Sequence, residues 1–214
     1  MKPAAAVALI PKSDGVFLMT QSPAAIRSFL SPEQIRERVI ALAKQIDADY
    51  SGRELVAIGV LQGSYVFFSD LVREMKTPLS CEFLALSTYP TFARPTDTQS
   101  PSPTREELAS AASGEVKILL DIEEPLAGKN LLLIEDLVDT GLTLEFLRRT
   151  LEARKPASLK TCSLLVRKQR PAQAVPIDYV GFEIEDAFVV GYGIDHEGAF
   201  RELPYIGRME GGSI

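Results

Sequence analysis

Apolar residues at Ile35, Val39, Leu42 and Ile46 recur at helical spacing, the pattern of a helix with one buried face. Ser31-Pro32-Glu33-Gln34 opens that helix: Ser31 can cap it, proline suits the first helical position and Gln34 completes a capping box. Tyr50-Ser51-Gly52 ends it. Leu55 to Leu61 is a continuous apolar run, as expected of a strand covered on both faces. After Gln62-Gly63-Ser64 the period turns helical at Val66, Phe67, Asp70, Leu71 and Met75. Further apolar runs predict strands at Leu79–Leu86, Val116–Leu120, Leu131–Ile134, Leu159–Val166 and Tyr179–Ile184, with a helix from about Leu142 to Arg154. Strands alternating with helices imply an α/β fold, a mainly parallel sheet flanked by helices, with its ligand site at the carboxyl ends of the strands.

Two stretches carry no steady period. Residues 1–30 contain Pro3, Pro11, Gly15 and Pro23 and read as an N-terminal extension outside the main core. Pro90 to Ser113 holds Pro90, Pro95, Pro101 and Pro103 among serines and threonines, and reads as a long mobile loop. The expected organisation is an extension 1–30, one domain 31–208 that includes a mobile loop 88–114, and a tail 209–214.

The chain of 214 residues suits one large domain. A net charge of −6 and an isoelectric point near 5.0 argue against a broad nucleic-acid footprint, so an anionic ligand needs a local site. No apolar run approaches the roughly 20 residues of a membrane-spanning helix, and a membrane partner is not expected. Cys81 and Cys162 sit in apolar segments and read as small buried thiols without a disulfide, consistent with a reducing compartment and the cytoplasm. His196, the one histidine, reads as an exposed loop residue.

The densest chemistry lies in Leu131-Leu132-Leu133-Ile134-Glu135-Asp136-Leu137-Val138-Asp139-Thr140-Gly141-Leu142-Thr143, where a buried strand runs into three acids and a small-residue turn that opens a helix. Thr140 to Thr143 can present backbone N–H groups and two hydroxyls at a helix N-terminus, an anion site favoured by the helix dipole. Glu135 and Asp136 can accept hydrogen bonds from a vicinal diol or face magnesium through water. Asp139, beside the anion cradle, is placed to take a proton. The plainer alternative is a solvated acidic loop with Thr140 as an ordinary cap. Acids beside an anion site make sense mainly with a metal or a sugar between them.

Glu-Asp-Leu-Val-Asp-Thr-Gly-Leu-Thr after an apolar strand resembles the phosphoribosyl-pyrophosphate signature of type I phosphoribosyltransferases. Val180 to Asp195, followed by Phe200-Arg201-Glu202-Leu203-Pro204-Tyr205-Ile206-Gly207, is similar to the purine-binding end of the hypoxanthine (guanine) phosphoribosyltransferases. Leu61-Gln62-Gly63-Ser64 with Phe67 and Asp70-Leu71 resembles their pyrophosphate loop and the helix after it.

The resemblance implies a core with a small hood built from the N-terminal part and the segment after Asp178, and transfer of ribose 5-phosphate to N9 of hypoxanthine, with guanine the second candidate. It implies that Glu135 and Asp136 bind the ribose hydroxyls and help to place magnesium, and that Asp139 is the acid or base near the purine N7. Asp139, Thr140, Gly141, Leu142 and Thr143 would hold the 5′-phosphate, while Arg201 with Gln62 and Gly63 would hold pyrophosphate. Phe188 would stack on the base, Val189 would read its edge through the main chain, and Asp195 would sit near magnesium and the amino position. Thr88 and Tyr89 would close over the centre. The Leu61–Gln62 peptide would be cis or otherwise strained, and the protein a homodimer or homotetramer.

The pattern departs from the family where a lysine is usual: Arg167 follows Leu164-Leu165-Val166, then Lys168, and either is a candidate for the 6-oxo group. Gln62 replaces a basic residue in the pyrophosphate loop. A nucleotide-sensing regulator on the same fold, or a relative specific for xanthine or a pyrimidine, is the alternative. Read without the resemblance, Phe188 is a core aromatic, Asp195 and Arg201 are a surface ion pair, and Thr88-Tyr89 is a strand end.

Overall fold

The computed structural model describes residues 26–88, 116–168 and 175–209, which form a six-stranded and a three-stranded sheet. The larger sheet comprises β2 (Leu55–Leu61), β3 (Leu79–Thr88), β4 (Val116–Leu120), β5 (Asn130–Val138), β6 (Ser158–Arg167) and β7 (Tyr179–Ile184) in the order β4-β3-β2-β5-β6-β7. All neighbours are parallel except β4, which runs antiparallel to β3 at the edge. The first six residues of β2 are buried, which explains its unbroken apolar run.

Helices α1 (Pro32–Asp49) and α2 (Tyr65–Glu74) cover one face of this sheet, and α3 (Leu142–Glu152) covers the other. Ser31 and Gln34 form the expected capping box on α1, whose Ile35, Val39, Leu42 and Ile46 are buried. Leu144, Leu147 and Leu151 of α3 pack with Val56, Ile58, Leu131 and Leu133. Complete burial of a leucine is worth about 1.5–3 kcal/mol, so this row suffices to seat α3. Arg38 of α1 donates from Nε to the Gly181 carbonyl at 2.7 Å and from Nη2 to the Val180 carbonyl, tying the helix to β7.

The chain steps outward from β2 to β3 and β4, then returns to place β5 on the other side of β2. The crevice at the carboxyl ends of β2 and β5 is therefore the switch point at which open α/β sheets bind ligands.

The smaller sheet is antiparallel, ordered β1 (Ile26–Leu30), β9 (Ile206–Met209), β8 (Val189–Val190). It is the expected hood, with two corrections. Residues 26–30, assigned to the extension, pair with β9, and Leu30 enters the core, because a five-residue strand is too short to show a period. The segment after Asp178 first completes the main sheet as β7 before reaching the hood. Cys162 is buried as expected, whereas Cys81 is exposed on β3; both thiols are free. The expected mobile loop from Pro90 to Ser113 lies outside the described residues, as do residues 1–25. No helix among the described residues is long and apolar enough to cross a membrane.

Candidate active site

Strand β5 continues past Ile134 to Val138, so Glu135 and Asp136 lie within the strand rather than in the turn after it. Asp139, Thr140 and Gly141 then turn the chain into α3. Gly141, at φ 90°, occupies the helix cap in the left-handed region, where a side chain is unfavourable. No side chain caps this helix; only a long contact of 3.4 Å runs from the Leu142 N–H to Thr140 Oγ1. The first-turn N–H groups thus remain available to an anion. A cavity of about 260 Å³ opens over them, lined by Leu61, Glu135, Asp139, Thr140, Gly141 and Thr143 among others.

Glu135 is 7% exposed, and among the described residues no side chain donates a hydrogen bond to its carboxylate. Burial, and then the charge of Asp136, push its pKa well above the usual carboxylate range. Burial also raises Asp136; the Leu137 N–H at 2.9 Å and the Arg201 guanidinium offset part of that, while Asp195 adds to it. The Leu61–Gln62 peptide at the end of β2 is cis, as the resemblance implied. Gly63 after it presses on the acids: a Cβ there would lie 1.8 Å from Asp136 Oδ2. Among the described residues no three His, Cys, Asp or Glu side chains form a group able to hold a metal, so Glu135, Asp136 and Asp195 are not a closed metal cage.

Arg167, which ends β6, and Lys168 just after it part company. Arg167, with its side chain 13% exposed, sets Nε 3.0 Å from Asp139 Oδ1. Its Nη1 donates to Asp186 Oδ1 at 2.9 Å and to the Ala187 carbonyl at 3.1 Å. Lys168 is exposed and pairs with Glu185 at 2.7 Å. Arg167 thus bridges the candidate proton-transfer residue and the segment that leads into Phe188 and Val189. Phe188 is half-buried, and His196 packs edge-on against it with ring centroids 4.9 Å apart at 81°. His196 is therefore half-buried rather than exposed, because the tight turn after Asp195 folds it back. Val189 opens β8 and is buried.

Asp195 and Arg201 do form an ion pair, at 2.7 Å, but a half-buried one. Arg201 Nη1 also donates to the Gly193 carbonyl at 2.6 Å, and the Gly198 N–H donates to Asp195 Oδ2 at 2.7 Å. Thr88 closes β3, and Tyr89 lies outside the described residues. Sequence reasoning missed Asp186, whose only sign was an acid beside an apolar strand. It also missed Tyr192, whose flanking glycines marked an unusual turn.

The profile of the phosphoribosyl transferase domain family matches residues 28–197. The chain is 39% identical over 182 residues to the hypoxanthine-guanine phosphoribosyltransferase of Dictyostelium discoideum, covering 83% of this chain and 92% of that protein. It is 40% identical over 178 residues to the hypoxanthine phosphoribosyltransferase of Salmonella typhimurium, covering 82% of this chain and 90% of the relative. Among solved structures, a hypoxanthine-guanine phosphoribosyltransferase of Bacillus anthracis superposes with a TM-score of 0.74 at 38% identity, covering 86% of this chain and 99% of the other.

Proposed function

Because the chain belongs to the phosphoribosyltransferase family, on its hypoxanthine–guanine branch, we propose that it transfers ribose 5-phosphate from phosphoribosyl pyrophosphate to N9 of hypoxanthine, a purine-salvage reaction, with guanine the second base. The observation that carries this reading is the Arg167 bridge, which joins Asp139, beside the open helix N-terminus, to the segment entering Phe188.

The C1′–oxygen bond to pyrophosphate breaks as the C1′–N9 bond forms, and the base loses a proton. Thr140 to Thr143 hold the 5′-phosphate on the N–H groups of the helix N-terminus, with Leu142 contributing only its main chain. Glu135 and Asp136 accept the ribose hydroxyls and so orient C1′. Asp139, exposed toward the cavity, takes the purine proton, and Arg167 rather than Lys168 faces the 6-oxo group. Phe188 stacks on the base while the Val189 main chain reads its edge. Gln62, Gly63 and Arg201 receive the pyrophosphate, Arg201 supplying its neutralising charge; Thr88 and Tyr89 close the site.

Glu135, buried without a cationic partner, and the half-buried Asp136 and Asp195 near it fit a hard cation that keeps waters and substrate oxygens in its shell. Glu135, Asp136 and Asp195 would hold magnesium in that manner, where its charge would offset that of the diphosphate. Two free cysteines support a cytoplasmic setting, and exposed Leu119 and Leu120 on the edge strand β4 support a homodimer or homotetramer.

Purified protein incubated with phosphoribosyl pyrophosphate and a panel of bases tests the reading. Inosine monophosphate and pyrophosphate should form in equal amounts, and only with magnesium. Metal-independent turnover, or none with any 6-oxopurine, overturns it.

A further inference from the structure

Tyr192 is the one buried aromatic residue with positive φ among the described residues, and the reason lies in what it joins. Gly191, Tyr192 and Gly193 have φ of 100°, 51° and 99°. Glycine tolerates this region, but a tyrosine there costs about 1–2 kcal/mol and must be held by its surroundings. Tyr192 is 6% exposed within the core, and its hydroxyl donates to Asp70 Oδ2 at 2.6 Å. Asp70 belongs to α2, which Phe67, Phe68 and Leu71 root in the same core, and its other oxygen accepts from Arg73. The acceptor is thus fixed.

The turn held in this way sets three layers in contact. A Cβ on Gly193 would lie 2.2 Å from the Gly63 carbonyl oxygen, and one on Gly63 would lie 1.8 Å from Asp136 Oδ2. Gly193 also carries Arg201: its carbonyl accepts from Arg201 Nη1 at 2.6 Å, and its N–H donates to the Arg201 carbonyl at 3.0 Å. Asp70 therefore stands on the helix that follows Gln62-Gly63, and Tyr192 stands in the hairpin that presents Asp195 and Arg201. Their hydrogen bond is a side-chain link between the two halves of the pyrophosphate end.

We propose that Tyr192, acting through Asp70, is a positioning residue for the leaving pyrophosphate, fixing Arg201 and Asp195 against the Gln62-Gly63 loop. It touches no substrate. This rests on the activity proposed above, so wild-type turnover is measured first: its absence overturns that activity and the latch with it.

With turnover established, Tyr192→Phe keeps the ring and removes the link. The KM for phosphoribosyl pyrophosphate and the inhibition constant for pyrophosphate should each rise about tenfold, the effect of losing one charge-assisted hydrogen bond. The KM for hypoxanthine should stay within about twofold. Asp70→Ala should give the same split, and the double variant should be no worse than either alone, because the pair acts as a unit. If Tyr192→Phe does not fold, Asp70→Ala carries the same readout from an accessible helix position. Tyr179→Phe removes a bond of the same kind, to Asp49 Oδ2 at 2.6 Å, at the other end of the sheet, and should leave all three constants unchanged. Unchanged constants in Tyr192→Phe, or equal rises in both KM values, would show the bond to be merely structural and overturn the latch alone.

Discussion

Ion pairs occur at both ends of the main sheet, but the acids that burial perturbs are treated differently at the two. At the amino ends the acids are paired. Lys160 Nζ lies 2.6 Å from Asp49 Oδ2 and over the rings of Tyr50 and Tyr179. Asp178 accepts from the Thr161 N–H at 2.8 Å, and Asn130 donates to the Glu54 carbonyl at 3.0 Å. Hydrogen bonds from Lys160 and Tyr179 hold Asp49 below the usual carboxylate range. Asp47 is raised by burial but lowered further by bonds from Thr77 and Lys76, and ends below that range too. At the carboxyl ends, Glu135 is buried and its chain neighbour Asp136 half-buried, and both are pushed up. The difference separates charge arranged for folding from charge kept unsatisfied for a ligand.

The largest effect that sharpens the contrast is kinetic. Asp139→Asn should lower kcat by about 10²–10⁴, the range of a general acid or base, with less effect on phosphoribosyl pyrophosphate binding. Steady-state rates check it, and unchanged turnover would mean that Asp139 serves only as the ion-pair partner of Arg167. Next comes Tyr179→Phe, which should lower the melting temperature by about 2–6 °C, as the loss of a hydrogen bond to a charged acceptor does, and leave kcat and both KM values alone. A kinetic defect there would break the separation of the two ends.

A further effect, of similar size, is in pH dependence. Asp47 and Asp49, with folded pKa values below their unfolded ones, contribute stability that is complete above the usual carboxylate range and is lost as pH falls through their depressed values. Glu135 runs the other way. Its raised folded pKa makes its carboxylate a cost that sets in as pH rises from about 4. Melting curves without magnesium should therefore show the gain from Glu135→Gln at neutral pH and its disappearance in acid, as the wild type takes up the proton.

The alternation of strands and helices made the parallel sheet, α1 and the strand-to-helix order around the three acids legible, because continuous apolar runs and a capping box are local signals, although β5 runs on to Val138 rather than ending at Ile134. The hood strands β1, β8 and β9 were not, being four or five residues or fewer and paired only across long separations. Family resemblance singled out Arg201 and Phe188, but the ring partner of Phe188 was invisible. Nothing local says that Arg167 reaches Asp186, that Tyr192 reaches Asp70, or that His196 turns back onto Phe188, since each contact is made by the fold. Asp195 and Arg201 illustrate the limit: the plain reading, an ion pair, is correct in chemistry, yet its half-burial beside Asp136 is a tertiary fact.

One experiment weighs the contrast directly: melting temperature and phosphoribosyl transfer measured on the same preparation of Glu135→Gln. If the unpaired buried carboxylate of Glu135 serves the ligand at the expense of the fold, the melting temperature without magnesium should rise by about 2–6 °C while the KM for phosphoribosyl pyrophosphate increases severalfold or more. A variant no more stable than wild type that transfers ribose 5-phosphate with the same KM would contradict it.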